Sequence, residues 1–212
     1  MNTNAIDPKA RERLMEAATP LFAAKGLEGT TTREIAAAAD LNVSLISYYF
    51  GGKEGLYRGI LEAHAHQVEI MAKEFIGEYQ KKDLTKETFS KFVYELIDKI
   101  VTQKLRFKDV SLIMQREMSA GLPYAREVHE KNFSKIGEMP AGMIAAAQKK
   151  KVVRADVNPH FALLTLVHAI DGYIMCSEAD SSWIKSYCFS LQHNESDFKK
   201  ALGDLFLRGI LV

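Results

Sequence analysis

Apolar residues recur along this chain at intervals of three and four, the period of a helix buried on one side. They nowhere alternate in the period of two that marks a strand. The pattern predicts an all-α fold. A first helix is expected to open at Asp7-Pro8, a capping residue followed by proline at the first helical position, and to end at Lys25 with Gly26 as its terminator. Its Leu14, Ala17, Ala18, Leu21 and Phe22 share one face. Pro20 removes the hydrogen bond to the Glu16 carbonyl, so a bend is expected there. The second helix starts with a capping box, Thr31 as the cap and Glu34 reaching back, and continues through Ile35 to Ala39. Asp40-Leu41 is the turn. A third, short helix capped by Asn42 runs to Phe50, and Gly51-Gly52 breaks it before a long fourth helix begins at Lys53.

Beyond residue 60 the helices lengthen. They are expected near 53–80, 85–104, 107–120, 124–149, 159–178 and 195–210, with Pro123 and Asn158-Pro159 marking starts. Residues 181–194, with Trp183, are ambiguous and fit a short helix followed by a loop. No repeat, low-complexity tract or flexible linker interrupts the chain, so its two expected parts, 1–58 and 59–212, share the fourth helix.

Two short helices joined by a tight turn allow the second to lie in the major groove of duplex DNA, where each base pair presents a distinct set of donors and acceptors. Ile35, Ala36, Ala39, Leu41, Ile46 and Phe50 fall where they pack on the first helix. Val43, Ser44, Leu45, Ser47 and Tyr48 are left to point outward. Thr31 and Thr32 begin the second helix and Lys53 the fourth, at dipole ends that favour an anion. Arg33 reaches a phosphate or a base, and Tyr48 and Tyr49 supply hydroxyls of the kind that bond phosphate at a groove edge. The bland alternative is a three-helix bundle whose tyrosines pack and whose Lys53 caps a helix.

Composition narrows the picture without pointing to DNA. The 212 residues carry a formal charge of +1, with 47% apolar and 26% charged positions, an ordinary soluble balance with no basic excess. Within residues 1–58 the cations Lys9, Arg11, Arg13, Lys25, Arg33, Lys53 and Arg58 are matched one for one by Asp7, Glu12, Glu16, Glu28, Glu34, Asp40 and Glu54. Non-specific affinity should therefore be modest, and binding should depend on a dimer engaging two half-sites, with a steep loss in added salt. No apolar run is long enough for a membrane span and the start is polar, so a cytoplasmic protein with no membrane partner is expected. Cys176 and Cys188 are too few for a disulfide framework and are expected as reduced thiols.

An enzyme is not expected. There is no Gly-rich phosphate loop and no GxSxG, and His64 and His66 point to different sides of a helix. Glu62 with His66 makes only a weak metal pair, so neither metal nor cofactor is expected.

The reading head resembles the TetR family of transcriptional regulators. The resemblance rests on Thr31-Thr32-Arg33-Glu34-Ile35-Ala36 through Leu41, then Tyr48-Tyr49-Phe50, Lys53 and Leu56, preceded by Ala17-Ala18, Leu21-Phe22 and Gly26. It covers residues 8 to about 60. The run from Tyr48 to Tyr57 looks closest to a subgroup that includes the CerR-like regulators. By this resemblance DNA contacts fall on Thr32, Arg33, Val43, Ser44, Leu45, Ser47, Tyr48, Tyr49 and Lys53. At position 47 the family usually carries a tyrosine, and Ser47 shortens or loses that contact.

For the rest of the chain the resemblance implies a ligand-sensing and dimerisation domain. It implies a homodimeric repressor released from its double-stranded operator by a small-molecule effector. The faces formed by Leu163, Leu164, Leu166, Val167, Ile170 and Ile174, and by Phe198, Leu202, Leu205, Phe206 and Leu207, suit a four-helix interface between two copies. A pocket would need polar groups among apolar walls: Gln115, Glu117, His168, Asp171 and Tyr173, with Met114 and Met118 as adaptable walls. His168 and Asp171, three apart, are placed to meet on one face. The competing reading is a helical interaction protein that keeps the head without operator binding.

Overall fold

The computed structural model describes residues 9–177 and 194–212. The expected start at Asp7-Pro8, and residues 181–193 with Trp183 and Cys188, lie outside them. The described residues form α1 (Ala10–Lys25), α2 (Thr32–Ala39), α3 (Ser44–Phe50), α4 (Lys53–Gln80), α5 (Lys86–Arg106) and α6 (Lys108–Ser119). Then come α7 (Arg126–Val128), a π turn (His129–Phe133), α8 (Ser134–Lys149), α9 (Pro159–Ser177) and α10 (Glu195–Ile210). Strand pairing among the described residues is confined to one antiparallel bridge, Val153 to Leu211. The fold is all-α, as the apolar period predicts.

The chain packs into two compact units. One comprises residues up to Ile70 together with Phe107–Ser134; the other comprises Met71–Arg106 and Lys135–Val212. The unit built on the head is therefore larger than residues 1–58, because α6 and the segment after it supply part of its core.

In that first unit α1 buries Leu14, Ala18 and Phe22, spaced by four, against Ile35, Ala36 and Ala39 of α2. The small alanines let the two helices cross closely. Ile46 is the fully buried anchor of α3, and Leu56, Tyr57, Ile60 and Leu61 complete the wall from α4. Each such side chain contributes about 1.5–3 kcal/mol on leaving water. Gly26 ends α1 at φ 72°, a conformation that favours glycine, and its N–H donates to the Phe22 carbonyl. α1 continues through Pro20, which sits on the exposed side.

The helix expected from residue 124 begins two residues later, at Arg126. The turn ahead of it is held by Glu117, a buried carboxylate of α6. Its Oε2 accepts the Tyr124 and Ala125 backbone N–H groups at 3.0 and 2.9 Å, and its Oε1 accepts the Tyr57 hydroxyl at 3.0 Å. The N–H groups that the start of a helix leaves without partners are thus taken up by a distant side chain.

In the second unit Phe75 and Tyr79 of α4 meet Phe89 and Phe92 of α5, with ring centroids 5.2–5.9 Å from Phe92. Leu163, Leu166, Ile170 and Ile174 of α9, with Leu207 of α10, are buried in the same core. The wide apolar faces read from the sequence are therefore split. These residues point inward, whereas Phe161, Leu164, Met175 and Leu205 are exposed. Cys176 is disulfide-bonded, which corrects the expectation of a reduced thiol. Among the described residues no helix is long and apolar enough to cross a membrane.

Candidate nucleic-acid interface

α2 is set by its first turn. The Thr31 hydroxyl oxygen accepts the Glu34 N–H at 3.2 Å, while Glu34 Oε2 accepts the Thr31 N–H and hydroxyl, both at 2.8 Å. Lys25, at the end of α1, closes on Glu34 Oε1 at 2.7 Å. The Lys25 ammonium first, and then the Thr31 backbone and hydroxyl, hold the Glu34 carboxyl down at about 2 against an ordinary 4.5. The cap is thus fully formed above pH 4.5 and is lost as the pH falls toward 2. Lys25→Met is expected to raise the Glu34 pKa toward its ordinary value, followed by the carboxyl carbon shift in a pH titration. An unmoved midpoint would show that Lys25 does not hold it.

The α2–α3 turn places Asn42 just ahead of α3. Its Oδ1 accepts the Ser44 N–H at 2.9 Å and the Ser44 hydroxyl at 2.8 Å, so it steadies the start of the helix from one turn outside. α3 is short, and its inward residue Ile46 is buried. Around that anchor Val43, Ser44, Ser47 and Tyr48 are exposed, Tyr48 to 64%. Leu45 corrects the outward row: it is half-buried and packs on the head core, because its position falls beside Ile46 on the inward side. Tyr49 also packs there, its ring edge-to-face with Tyr48 at 5.0 Å.

Gly51 and Gly52, at φ 74° and 133°, turn the chain into α4. Lys53 is the first residue of α4, half-buried, and its Nζ donates to the Thr30 carbonyl at 3.0 Å. Thr32 is half-buried and Arg33 exposed at the start of α2. The nine residues expected at DNA thus all belong to the first unit, on α2, on α3 with Val43 just ahead of it, and at the start of α4.

Sequence reasoning missed two cations that hold this head together: Arg13 was counted only as charge, and Arg116 was not singled out. Arg116 of α6 donates to the Phe22 and Ala23 carbonyls at 2.8 and 2.9 Å, at the negative end of α1. Arg13 does the same for α2, donating to the Ala39 and Asp40 carbonyls. A basic residue facing a helix C-terminus was the only available signal, and the partners lie 26 or more positions away.

The pocket candidates divide between the units. Met114 packs on the head core, Gln115 is half-buried, Glu117 is buried and Met118 is exposed, all in the first unit. His168, Asp171 and Tyr173 lie in the second. Asp171 pairs with Lys104 at 2.6 Å, and the His168 Nδ1 lies 2.9 Å from the Leu164 carbonyl of its own helix. Tyr173 stacks on Phe198, with centroids 3.9 Å apart. A cavity of about 390 Å³ in the second unit is lined by Lys86, Tyr94, Asp204, Arg208 and the final Leu211 and Val212, and by none of these candidates.

Residues 14–60 match the family described as "Bacterial regulatory proteins, tetR family". A relative from Bacillus subtilis (strain 168), named "Probable HTH-type transcriptional regulator YttP", is 27% identical over 159 residues, 72% of each chain. The "HTH-type transcriptional dual regulator CecR" of Shigella flexneri is 47% identical over 60 residues, covering 27% of this chain and 26% of that protein. Among solved structures, Salmonella enterica GusR superposes with a TM-score of 0.63 at 20% identity, covering 97% of each chain. SCO4942 from Streptomyces coelicolor superposes at 0.68 with 15% identity, covering 95% of this chain and 98% of that one. At such identities the structures speak for the fold alone. Residues 14–60 are thus a reading head of the TetR type, and the relatives and solved structures that the chain resembles are transcriptional regulators of that fold.

Proposed function

We propose that this regulator is a sequence-specific repressor that binds an operator in double-stranded DNA as a homodimer and is released by a small-molecule effector. The observation that carries the reading is the two-sided α3. Ile46 ties one face into the core, and Val43, Ser44, Ser47 and Tyr48 stand exposed on the other. On this reading those four residues meet base edges and Leu45 supports them from the side. Thr32, Arg33, Tyr49 and Lys53 hold the phosphates on either side. Residues 1–58 act as the DNA-binding domain and 59–212 as the ligand-binding and dimerisation domain, in the cytoplasm. Exposed Phe161, Leu164, Met175 and Leu205 support a second copy meeting α9 and α10.

A dimer would place two α3 helices in successive major grooves, about 34–36 Å apart. The effector acts by favouring a state in which that spacing is lost, and its reach is limited to its differential affinity for the two states.

The test is a mobility shift on DNA flanking its own gene. Lys53→Ala and Tyr49→Ala are each expected to weaken binding about tenfold with the fold retained by circular dichroism, and Lys53→Ala to lower the salt slope by about one. Failure of the folded dimer to shift that DNA at low salt, without effector, overturns the reading in favour of a helical interaction protein, the role that Ser47 in place of tyrosine would suit.

A further inference from the structure

α2 ends in a left-handed turn built on a residue other than glycine. Asp40 has φ 51° and ψ 51°, a conformation that crowds the Cβ of an L-residue and is usually given to glycine at this place. Two backbone bonds close the turn, from the Leu41 N–H to the Ala36 carbonyl at 3.0 Å and from the Asp40 N–H to the Ala37 carbonyl at 3.2 Å. The last carbonyls of the turn, those of Ala39 and Asp40, are taken by one side chain. Arg13 Nη2 of α1 donates to them at 2.6 and 3.3 Å. The guanidinium is planar and always charged, and it sits at the negative end of α2, where a cation is favoured.

This turn determines where α3 starts. Leu41 packs half-buried on the head core directly after it, and Asn42 then receives Ser44. Ile46 holds the middle of α3, but Val43 and Ser44 at its start are exposed, so core packing does not hold their side chains. Asn42 holds the Ser44 hydroxyl, and the backbone at 39–41 places Asn42 and the start of the helix.

We propose that Arg13 is a positioning residue for α3. By holding the Ala39 and Asp40 carbonyls it keeps the turn in the left-handed form that aims Val43, Ser44 and Ser47, and so sets operator discrimination without serving as a phosphate ligand. The proposal rests on the reading of α3 as the helix that meets DNA, but the hold on the turn is measurable without DNA.

The experiment compares the full chain with Arg13→Ala, Arg13→Lys and the double variant Arg13→Ala/Asp40→Gly. Glycine adopts the left-handed form without a Cβ to crowd, so it removes the need for the arginine. Two readouts are taken: amide hydrogen exchange at Asp40 and Leu41 in the free protein, and affinity at several salt concentrations. The probes are a duplex that the unaltered chain selects from a randomised pool and a random-sequence duplex.

Arg13→Ala is expected to speed exchange at both amides about tenfold and to weaken the selected duplex about tenfold. The random duplex and the salt slope should be unchanged, and Asp40→Gly should restore both readouts. Arg13→Lys, which keeps the charge and loses the planar fork, carries the same comparison if the alanine variant does not fold. Unchanged exchange overturns the proposal. So does an equal loss on both duplexes with a slope lower by about one, the mark of a phosphate contact, or a loss that glycine at position 40 does not restore. If the unaltered chain selects no duplex, the DNA reading fails and the exchange result alone decides the role of Arg13.

Discussion

Replacing Glu117 by alanine is expected to lower stability by about 3–5 kcal/mol, because it orphans three donors at once in a dry interior. The Tyr57 hydroxyl and the Tyr124 and Ala125 N–H groups all point at this carboxylate, from α4 and from the turn ahead of α7, and Glu117 is 4% exposed. Melting should fall by about 6–20 °C for a chain of this size. Glu117→Gln keeps one acceptor but turns an amide toward N–H groups, and should fall between the alanine variant and the parent. Tyr57→Phe removes one bond and should cost about 1–2 kcal/mol.

Burial, and then the neighbouring Glu117, push the Tyr57 phenol above its ordinary 10.0, so the folded state favours the neutral phenol. That contribution is present below pH 10 and is lost as the pH rises through the raised value, so the gap between the parent and Tyr57→Phe should narrow in alkali. Urea denaturation across this series checks the ranking. A Glu117→Ala loss within about 0.5 kcal/mol, the size of an ordinary surface change, would show that the carboxylate does not brace the unit.

The second large effect is expected at Phe92. Its ring lies flat against Phe75 at 5.4 Å, meets Tyr79 edge-on at 5.2 Å and touches Phe89 at 5.9 Å. It is fully buried in the larger unit. Truncation to alanine removes the ring that the other three share and leaves a cavity that rigid helices fill poorly, a cost of about 3–5 kcal/mol. Leu205→Ala is the comparison. That side chain is 72% exposed, so its loss should leave the isolated chain within about 0.5 kcal/mol. A melting temperature that depends on protein concentration in the parent and less so in Leu205→Ala would support the dimer reading. Equal losses at Phe92 and Leu205 at one concentration would contradict the assignment of core and surface.

Much of the reading head is legible in the sequence because its determinants are local. The Thr31 and Glu34 box, the break at Gly51-Gly52 and the start of α4 at Lys53 involve partners within a few positions, and backbone stereochemistry and capping decide them without help from the rest of the fold. The inward row Ile35, Ala36, Ala39 and Ile46 follows from helical period alone. The same period misjudged Leu45, since a helix of two turns has no sharp boundary between its faces and the neighbouring helices determine how far round the burial extends.

Polar side chains were the least legible. Glu117 and Asp171 read as members of one pocket, yet one braces the head unit and the other pairs with Lys104 in the larger unit. Arg13 read as one charge in a balanced count and Arg116 carried no reading at all, yet each closes the end of a helix. A carboxylate or guanidinium takes whichever partner the fold brings within about 3 Å, and those partners are 7 to 94 positions away in the chain. The sequence by itself determined an all-helical chain with a capped, turn-linked pair of short helices near its start, because hydrophobic period and capping act over a few residues. Only the tertiary structure decided which charges brace that pair and which side chains it leaves exposed, because hydrogen bonds and burial between distant segments exist only once the helices have packed.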